Sequence, residues 1–342
     1  MSIEQTINNL REKIDNIDTE IIKLLINRKE LSSCLIHTKI ENNLPVLDKA
    51  RESKIINNCC TFANNNINQV LIKKIFSLIF EDSKRQYYKL EKLDSISSYI
   101  QNRKPLIIAG PCVVEQEDQI NNLAEELSSY GVKFLRGGAF KPRTSPHTFQ
   151  GLGDVGVRLL SEAAKKNNMF TVTEVLEAEQ LERNYELIDI VQIGSRSMTS
   201  YGLLKSIGRL TSQDKKYVLL KRSFSATITE FLQAAEYILQ AGNPNVILCL
   251  RGIRTFEQMD SSFRFTPDLA SILELKEKTN LPVIFDSSHS TGSSEFVIPV
   301  SNAALTLGAD GLMIETHNNP KLSKVDADQA ITPSQLLEIL NF

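Results

Sequence analysis

Tryptophan is absent from the 342 residues, and histidine occurs only four times. No run approaches the roughly 18 uncharged apolar residues that a membrane span needs. The N-terminal stretch MSIEQTINNLREKIDNIDTE is charged throughout and has no apolar core of a secretory signal. A cytoplasmic chain without a membrane partner is therefore expected. No charge sign dominates: 39 Lys+Arg against 41 Asp+Glu leave −2, which argues against a nucleic-acid surface. A disulfide framework is equally unsupported. Five cysteines (Cys34, Cys59, Cys60, Cys112 and Cys249) are an odd set at irregular spacing, read as reduced thiols. Glycine is missing from residues 1–90, which hold one proline, Pro45, whereas all 15 glycines fall within 106–315.

That asymmetry marks two architectures. In the first, Ile7, Leu10, Ile14, Ile17, Ile21 and Leu24 step by 3 and 4 along one helical seam, interrupted at the next seam position by Arg28. The pattern predicts a helix over about 4–40, a second over about 48–60 capped by Asp48, and a third over about 67–90. Such an all-α three-helix domain buries little alone, so a homo-oligomer is expected, a dimer through these helices that the rest of the chain could extend to a tetramer. Beyond a linker at 91–104, residues 105–342 alternate short β-rich runs with helical runs eight times, from Leu106–Ala109 to Gly311–Ile314. Eight such units predict an α/β fold, a (β/α)8 TIM barrel, with a doubly wound open sheet as the alternative. No G-x-G-x-x-G follows the first strand, which counts against a dinucleotide site.

A barrel gathers its chemistry at the C-terminal ends of its strands. Two sets of residues fall there or just beyond. Arg136, Lys141, Arg143, Arg196, Lys221 and Arg251 form a cationic set. With no matching carboxylates, such a set implies strongly anionic substrates, two phosphates and a carboxylate. Cys112, His289, Glu315 and Asp326 form a mixed S, N and O set suited to a divalent ion such as Mn, Fe, Co or Zn.

These residues sit in runs that resemble a known family. AGPC at 109–112, LRGGAFKPRTSP at 135–146, QIGSR at 192–196, VLLKR at 218–222, RGIRTFE at 251–257, DSSHSTG at 286–292 and GADGLMIE at 308–315 are similar to the type I-beta 3-deoxy-D-arabino-heptulosonate 7-phosphate (DAHP) synthases. The sibling octulosonate 8-phosphate synthases are the runner-up. Residues 1–90 resemble the all-helical chorismate mutases through LREKID at 10–15, Arg28, Lys39 and LPVLDKARE at 44–52. This is the arrangement of Bacillus-type bifunctional enzymes.

The resemblance implies condensation of phosphoenolpyruvate with erythrose 4-phosphate, and rearrangement of chorismate to prephenate. It implies that Arg136, Lys141, Arg196, Lys221 and Arg251 hold phosphoenolpyruvate, that Arg143 and Thr144 hold the aldose phosphate, and that Cys112, His289, Glu315 and Asp326 ligate the metal, Mn first among the candidates. Arg11, Arg28, Lys39, Asp48, Arg51 and Glu52 would line the mutase site, with Arg11 from a second subunit. Lys141 is expected to move a proton near the aldehyde oxygen, its pKa pushed down by surrounding arginines. Val113, Ser287, Ser223 and His147 depart from the family pattern but are not implied ligands, and Tyr87 stands where a mutase carries Gln, with Gln86 one position short. A chorismate- or prephenate-sensing helical domain that does not turn over is the alternative for the N-terminal segment, and a bare oligomerisation module is a third reading. Feedback inhibition of the synthase by either intermediate is the regulatory expectation.

Overall fold

The computed structural model describes residues 3–42, 44, 48–64, 66–101, 105–143, 145, 147–256 and 264–342; the side chains at 37, 40, 41, 49, 81, 82, 84–95 and 101 lie outside that description. The expectations for Thr144, Gln86 and Tyr87 therefore fall outside the described residues. The chain divides into two compact units, Met1–Ser95 and Ile96–Phe342.

The first unit is helical. It holds α1 (Ile3–Glu41), α2 (Lys49–Ala63) and most of α3 (Gln69–Gln101). Asp48 starts α2 by accepting the backbone N–H of Arg51 at 2.8 Å, and Asn64 ends it in a left-handed conformation (φ 42°). The heptad seam of α1 is uncovered within the single chain: Leu10, Ile14, Ile17 and Leu24 are all more than half exposed. α3 runs on to Gln101, so the stretch expected to be a linker is mostly helix. Nothing in Lys92–Gln101 breaks a helix, since Gly and Pro are both absent there.

The second unit is a closed barrel of eight parallel strands: β1 (Leu106–Gly110), β2 (Phe134–Arg136), β3 (Phe170–Glu174), β4 (Ile190–Ile193), β5 (Tyr217–Lys221), β6 (Val246–Leu250), β7 (Val283–Asp286) and β8 (Gly311–Glu315). β8 pairs with β1 to close it, with Gly110 opposite Glu315. The helices between strands are α4 (Glu117–Ser129), α5 (Asp154–Lys166), α6 (Ala178–Asn184), α7 (Tyr201–Thr211), α8 (Ile228–Gln240), α9 (Ala270–Lys278), the short α10 (Ser287–Thr291) and α11 (Ser294–Thr306), with α12 (Pro333–Leu340) after β8. The closed order excludes the open doubly wound sheet.

The strands are buried on both faces, as a parallel sheet requires, with Phe170 at the start of β3 half-buried. Period-2 alternation sorts the two faces. Ile107, Ala109, Leu135, Val218, Leu220, Leu248, Phe285, Leu312 and Ile314 belong to the main core against the helices. The alternate positions point into the barrel. Low in the strands they are apolar, such as Ile108, Phe134, Leu219 and Met313. At the C-terminal ends the same parity delivers Arg136, Glu174, Gln192, Lys221, Asp286 and Glu315, all buried. The opposite mouth is closed by the end of α3. Tyr99 packs edge-on against Phe134 and Phe170, with centroids 5.8 and 6.3 Å away, and the Ser97 hydroxyl lies 3.1 Å from the Tyr217 hydroxyl. Solvent therefore reaches the barrel from the C-terminal mouth.

Candidate active site

At that mouth lies a cavity of about 320 Å³ lined by Arg136, Lys141, Arg143, Arg196, Lys221, Arg251 and Arg264, with Glu174 and Asp326 the carboxylates among the described residues. All six cations expected from the sequence line it, and Arg264 is a seventh that sequence reasoning missed. It follows residues 257–263, and its position relative to the strands is not readable from spacing.

The expectation that these cations lack carboxylate partners is wrong for two of them. Arg136 donates from Nη1 to Glu315 Oε1 at 2.7 Å, and Lys221 donates to Asp286, both pairs being buried. A buried charge left alone is too costly, so the barrel interior supplies the partner. Lys141, Arg143, Arg196 and Arg251 have no carboxylate at ion-pair distance among the described residues. Arg196 donates to the Pro142 carbonyl at 3.4 Å and Arg143 Nε to the Thr148 hydroxyl at 3.1 Å. Arg251 lies over the Phe265 ring at 4.3 Å and donates to the His289 carbonyl. Burial lowers Arg251 to about 10, with Arg264 and Arg196 pushing the same way against Asp286. Its buried Nε and that of Arg136 have no hydrogen-bond partner among the described residues. These are donors shaped for an anion.

Cys112, His289, Glu315 and Asp326 converge beside this cavity, with one donor atom from each lying within 4.8 Å of the others. Cys112 Sγ is 3.3 Å from Asp326 Oδ2, and His289 Nε2 is 3.3 Å from Glu315 Oε1 and 3.9 Å from Asp326 Oδ2. Donors around an ion at about 2.1 Å in a tetrahedron would stand about 3.4 Å apart, so the set fits a divalent transition metal. His289 and Asp326 also line the cavity, which gives the cluster the open side of a catalytic site.

Local packing explains the convergence. Val113 and Val325 bury each other beside Cys112, which draws the loop after β8 onto the loop after β1. Glu115 Oε1 then accepts the Lys324 backbone N–H at 2.7 Å. The departure at Val113 is thus a packing contact. Asp286 Oδ2 contacts His289 Nδ1 at 2.9 Å, without hydrogen-bond alignment, and leaves Nε2 toward the cluster. Burial, outweighing Asp286 and Glu315, pushes His289 down to about 4, so its imidazole is in the neutral, ligating form. Burial and Glu315 push the Cys112 thiol up against the pull of Lys141. Burial opposes ionisation of Glu315, but His289, Arg136 and Lys141 hold it well below the usual carboxylate range.

Lys141 corrects a second expectation. Its Nζ donates to the Cys112 carbonyl at 3.0 Å and Sγ at 3.1 Å. Burial and Arg136 would lower its pKa, but Cys112, Glu174 and Glu315 outweigh them, and it is raised. The like-charge argument counted the arginines and missed the acids beside them. Gly138 makes room for this lysine: a Cβ there would meet Lys141 Cδ at 2.9 Å, as well as the Cys112 carbonyl oxygen at 2.6 Å.

In the helical unit, Arg28 is half-buried, donates to the Ser83 hydroxyl at 3.4 Å and lies 5.6 Å from the Phe80 ring centroid. Ser32 also reaches Ser83, at 3.3 Å. Lys39 is half-buried on the same helix, three turns on. Asp48 is occupied as the α2 cap, Arg51 is exposed and Glu52 half-exposed. Arg11 is exposed and stands about 25 Å from Arg28 along the α1 axis, so one chain does not bring them together.

Residues 95–342 match the model of the DAHP synthetase I family, and residues 10–88 that of chorismate mutase type II. The phospho-2-dehydro-3-deoxyheptonate aldolase of Thermotoga maritima is 46% identical over 225 residues, 66% of this chain and 64% of that protein. This chain thus spans a little under two thirds of that relative's length. A 2-dehydro-3-deoxyphosphooctonate aldolase of Francisella tularensis is 30% identical over 262 residues, covering 70% of this chain and 90% of its own. The crystal structure of the Thermotoga maritima aldolase (DAHP synthase) is similar with a TM-score of 0.65 at 44% identity, covering 69% of this chain and 67% of that one.

Proposed function

The chain belongs to the DAHP synthetase I family, and on that premise we propose that its barrel condenses phosphoenolpyruvate with D-erythrose 4-phosphate to DAHP and phosphate. The observation that carries this reading is the cavity, with seven cations and two carboxylates among the described residues, opening onto the Cys112–His289–Glu315–Asp326 cluster. Arg136, Lys141, Arg196, Lys221 and Arg251 hold the phosphate and carboxylate of phosphoenolpyruvate. Arg143 and Thr144 take the phosphate of the aldose. Cys112, His289, Glu315 and Asp326 would hold a divalent ion, Mn or a similar metal, which supplies Lewis acidity toward a carbonyl oxygen.

C3 of the enol forms the new bond to the aldehyde carbon, water adds at C2, and phosphate departs with the bridging oxygen. Lys141, kept as an ammonium, gives its proton to the aldehyde oxygen as that oxygen gains charge. The remaining guanidinium groups orient the enol for attack and pay no reorganisation at the moment of reaction. Heptulosonate and phosphate should appear from the two substrates and stop with a chelator, then return with Mn²⁺. Arabinose 5-phosphate in place of erythrose 4-phosphate tests the octulosonate reaction of the Francisella relative. Turnover of that aldose alone would overturn the assignment.

The helical unit we read as a chorismate mutase. Arg28 and Lys39 would face the ether oxygen and carboxylates of a compact chorismate conformer as charge separates. It dimerises through the exposed seam of α1, which would bring Arg11 from the second copy. Chorismate or prephenate bound there also inhibits the barrel, a coupling typically worth about 1–3 kcal/mol. Loss of chorismate absorbance with purified protein tests turnover. Binding without turnover would leave the segment as a sensor.

A further inference from the structure

Each carboxylate of the metal cluster shows one oxygen to the cluster and the other away from it. Asp326 turns Oδ2 toward Cys112 and His289, and Glu315 turns Oε1 toward His289. Both outer oxygens are claimed by the same chain of contacts. Asp326 Oδ1 lies 3.2 Å from Arg264 Nη1. That nitrogen also donates to Gln329 Oε1 at 3.0 Å, and Gln329 Nε2 donates to Glu315 Oε2. The amide is oriented by its neighbours, since the reverse would set carbonyl against carboxylate and amide N–H against guanidinium. Gln329 is 2% exposed and does not line the cavity, so it is not placed to touch substrate. Arg264 is fastened at its backbone, where its N–H donates to the Thr291 carbonyl at 3.1 Å. Asp326 needs such a hold, because it sits in a left-handed conformation (φ 55°) that a non-glycine residue adopts at a cost.

We propose that Arg264 and Gln329 are a positioning pair that fixes Glu315 and Asp326 with one oxygen each toward the ion, and thereby sets metal affinity. The proposal rests on reading the four-residue cluster as a metal site. Partners of ligating carboxylates typically contribute about 10–100-fold to affinity.

The test is Mn²⁺ binding to the metal-stripped full-length protein, followed by electron paramagnetic resonance of free and bound ion. Gln329→Met and Arg264→Met should each weaken binding about 10–100-fold. The double variant should be little worse than the weaker single one, because both break one chain of contacts. Arg264→Lys, which keeps a donor near Asp326, should recover part of the loss. Thermal melts of the stripped proteins check that the variants fold, and Arg264→Lys carries the test if Gln329→Met does not. Wild-type affinity in Gln329→Met or in both Arg264 variants overturns the pairing while leaving the metal site standing. If the unaltered protein binds Mn²⁺ no better than Cys112→Ala, the metal reading itself fails and the pair falls with it.

Discussion

Gly138→Ala adds one methyl group at the point where the strand-2 loop crosses the strand-1 loop. Its Cβ would stand 2.6 Å from the Cys112 carbonyl oxygen, 2.9 Å from Lys141 Cδ and 3.3 Å from Lys141 Nζ. Ordinary contact begins near 3.4 Å, so the backbone must open by about 0.8 Å at the Cys112 carbonyl and the lysine must shift as well. The backbone resists, because Gly138 N–H donates to the Cys112 carbonyl at 3.2 Å and Val114 N–H donates back to Gly138 at 2.9 Å. Overpacking of this kind costs about 1–3 kcal/mol, roughly 2–4 °C of melting temperature per kcal/mol. The functional loss should be larger than the stability loss suggests. Displacing Lys141 or Cys112 by nearly 1 Å should lower kcat about 100-fold. Gly202→Ala is the control, since nothing lies within 4 Å of its added Cβ. It should leave turnover unchanged and stabilise α7 by about 0.5–1 kcal/mol. The assay is heptulosonate formation at saturating substrates and Mn²⁺, with a circular-dichroism melt of each variant. A Gly138→Ala protein with unaltered kcat would refute the reasoning, because the Lys141–Cys112 contact would then be irrelevant to turnover.

Lys141→Met should lower heptulosonate formation by about 10²–10⁴-fold with the melt unchanged, as expected for loss of a general acid; near-normal kinetics would remove it from the mechanism. His289 has a folded-state pKa of about 4 against an unfolded value near 6.5, so the unfolded chain takes up the proton first. Stability of the metal-stripped protein should therefore fall as pH drops from about 6.5 to about 4, by up to roughly 3 kcal/mol. The depressed carboxyls of Glu315 and Asp286 extend the loss to lower pH. Urea unfolding at pH 7, 6 and 5 reads this, and His289→Gln should flatten the upper part of the curve. Arg28→Ala should abolish chorismate turnover and prephenate inhibition together while the uninhibited synthase rate holds; inhibition that survives would put the regulatory site elsewhere.

Much of this protein is legible without coordinates. The heptad steps of α1, the alternation of β and α runs and the strand-end residues all come from patterns that run along the chain. Arg136, Lys221, Asp286 and Glu315 could be placed at one mouth because they end strands, and a barrel puts every strand end on the same side. The end of the third helix was misjudged because 91–104 is polar, although polarity alone does not stop a helix. Arg264 and Gln329 were invisible because neither ends a strand, and nothing local marks them.

What the sequence by itself determined is which strand-end groups gather at the mouth, since chain direction and the period of two settle that residue by residue within the strands. Only the tertiary structure decided how those groups divide their charge. Arg136 is neutralised by Glu315, 179 positions away in the chain, and Lys221 by Asp286, 65 positions away. Lys141 is held as an ammonium by the acids around it, whereas Arg251 is left in want of an anion. The reason is that Coulomb energy and desolvation depend on separation in space, over a few ångströms in a medium from which water is excluded. Separation along the chain carries no information about that distance until the barrel closes.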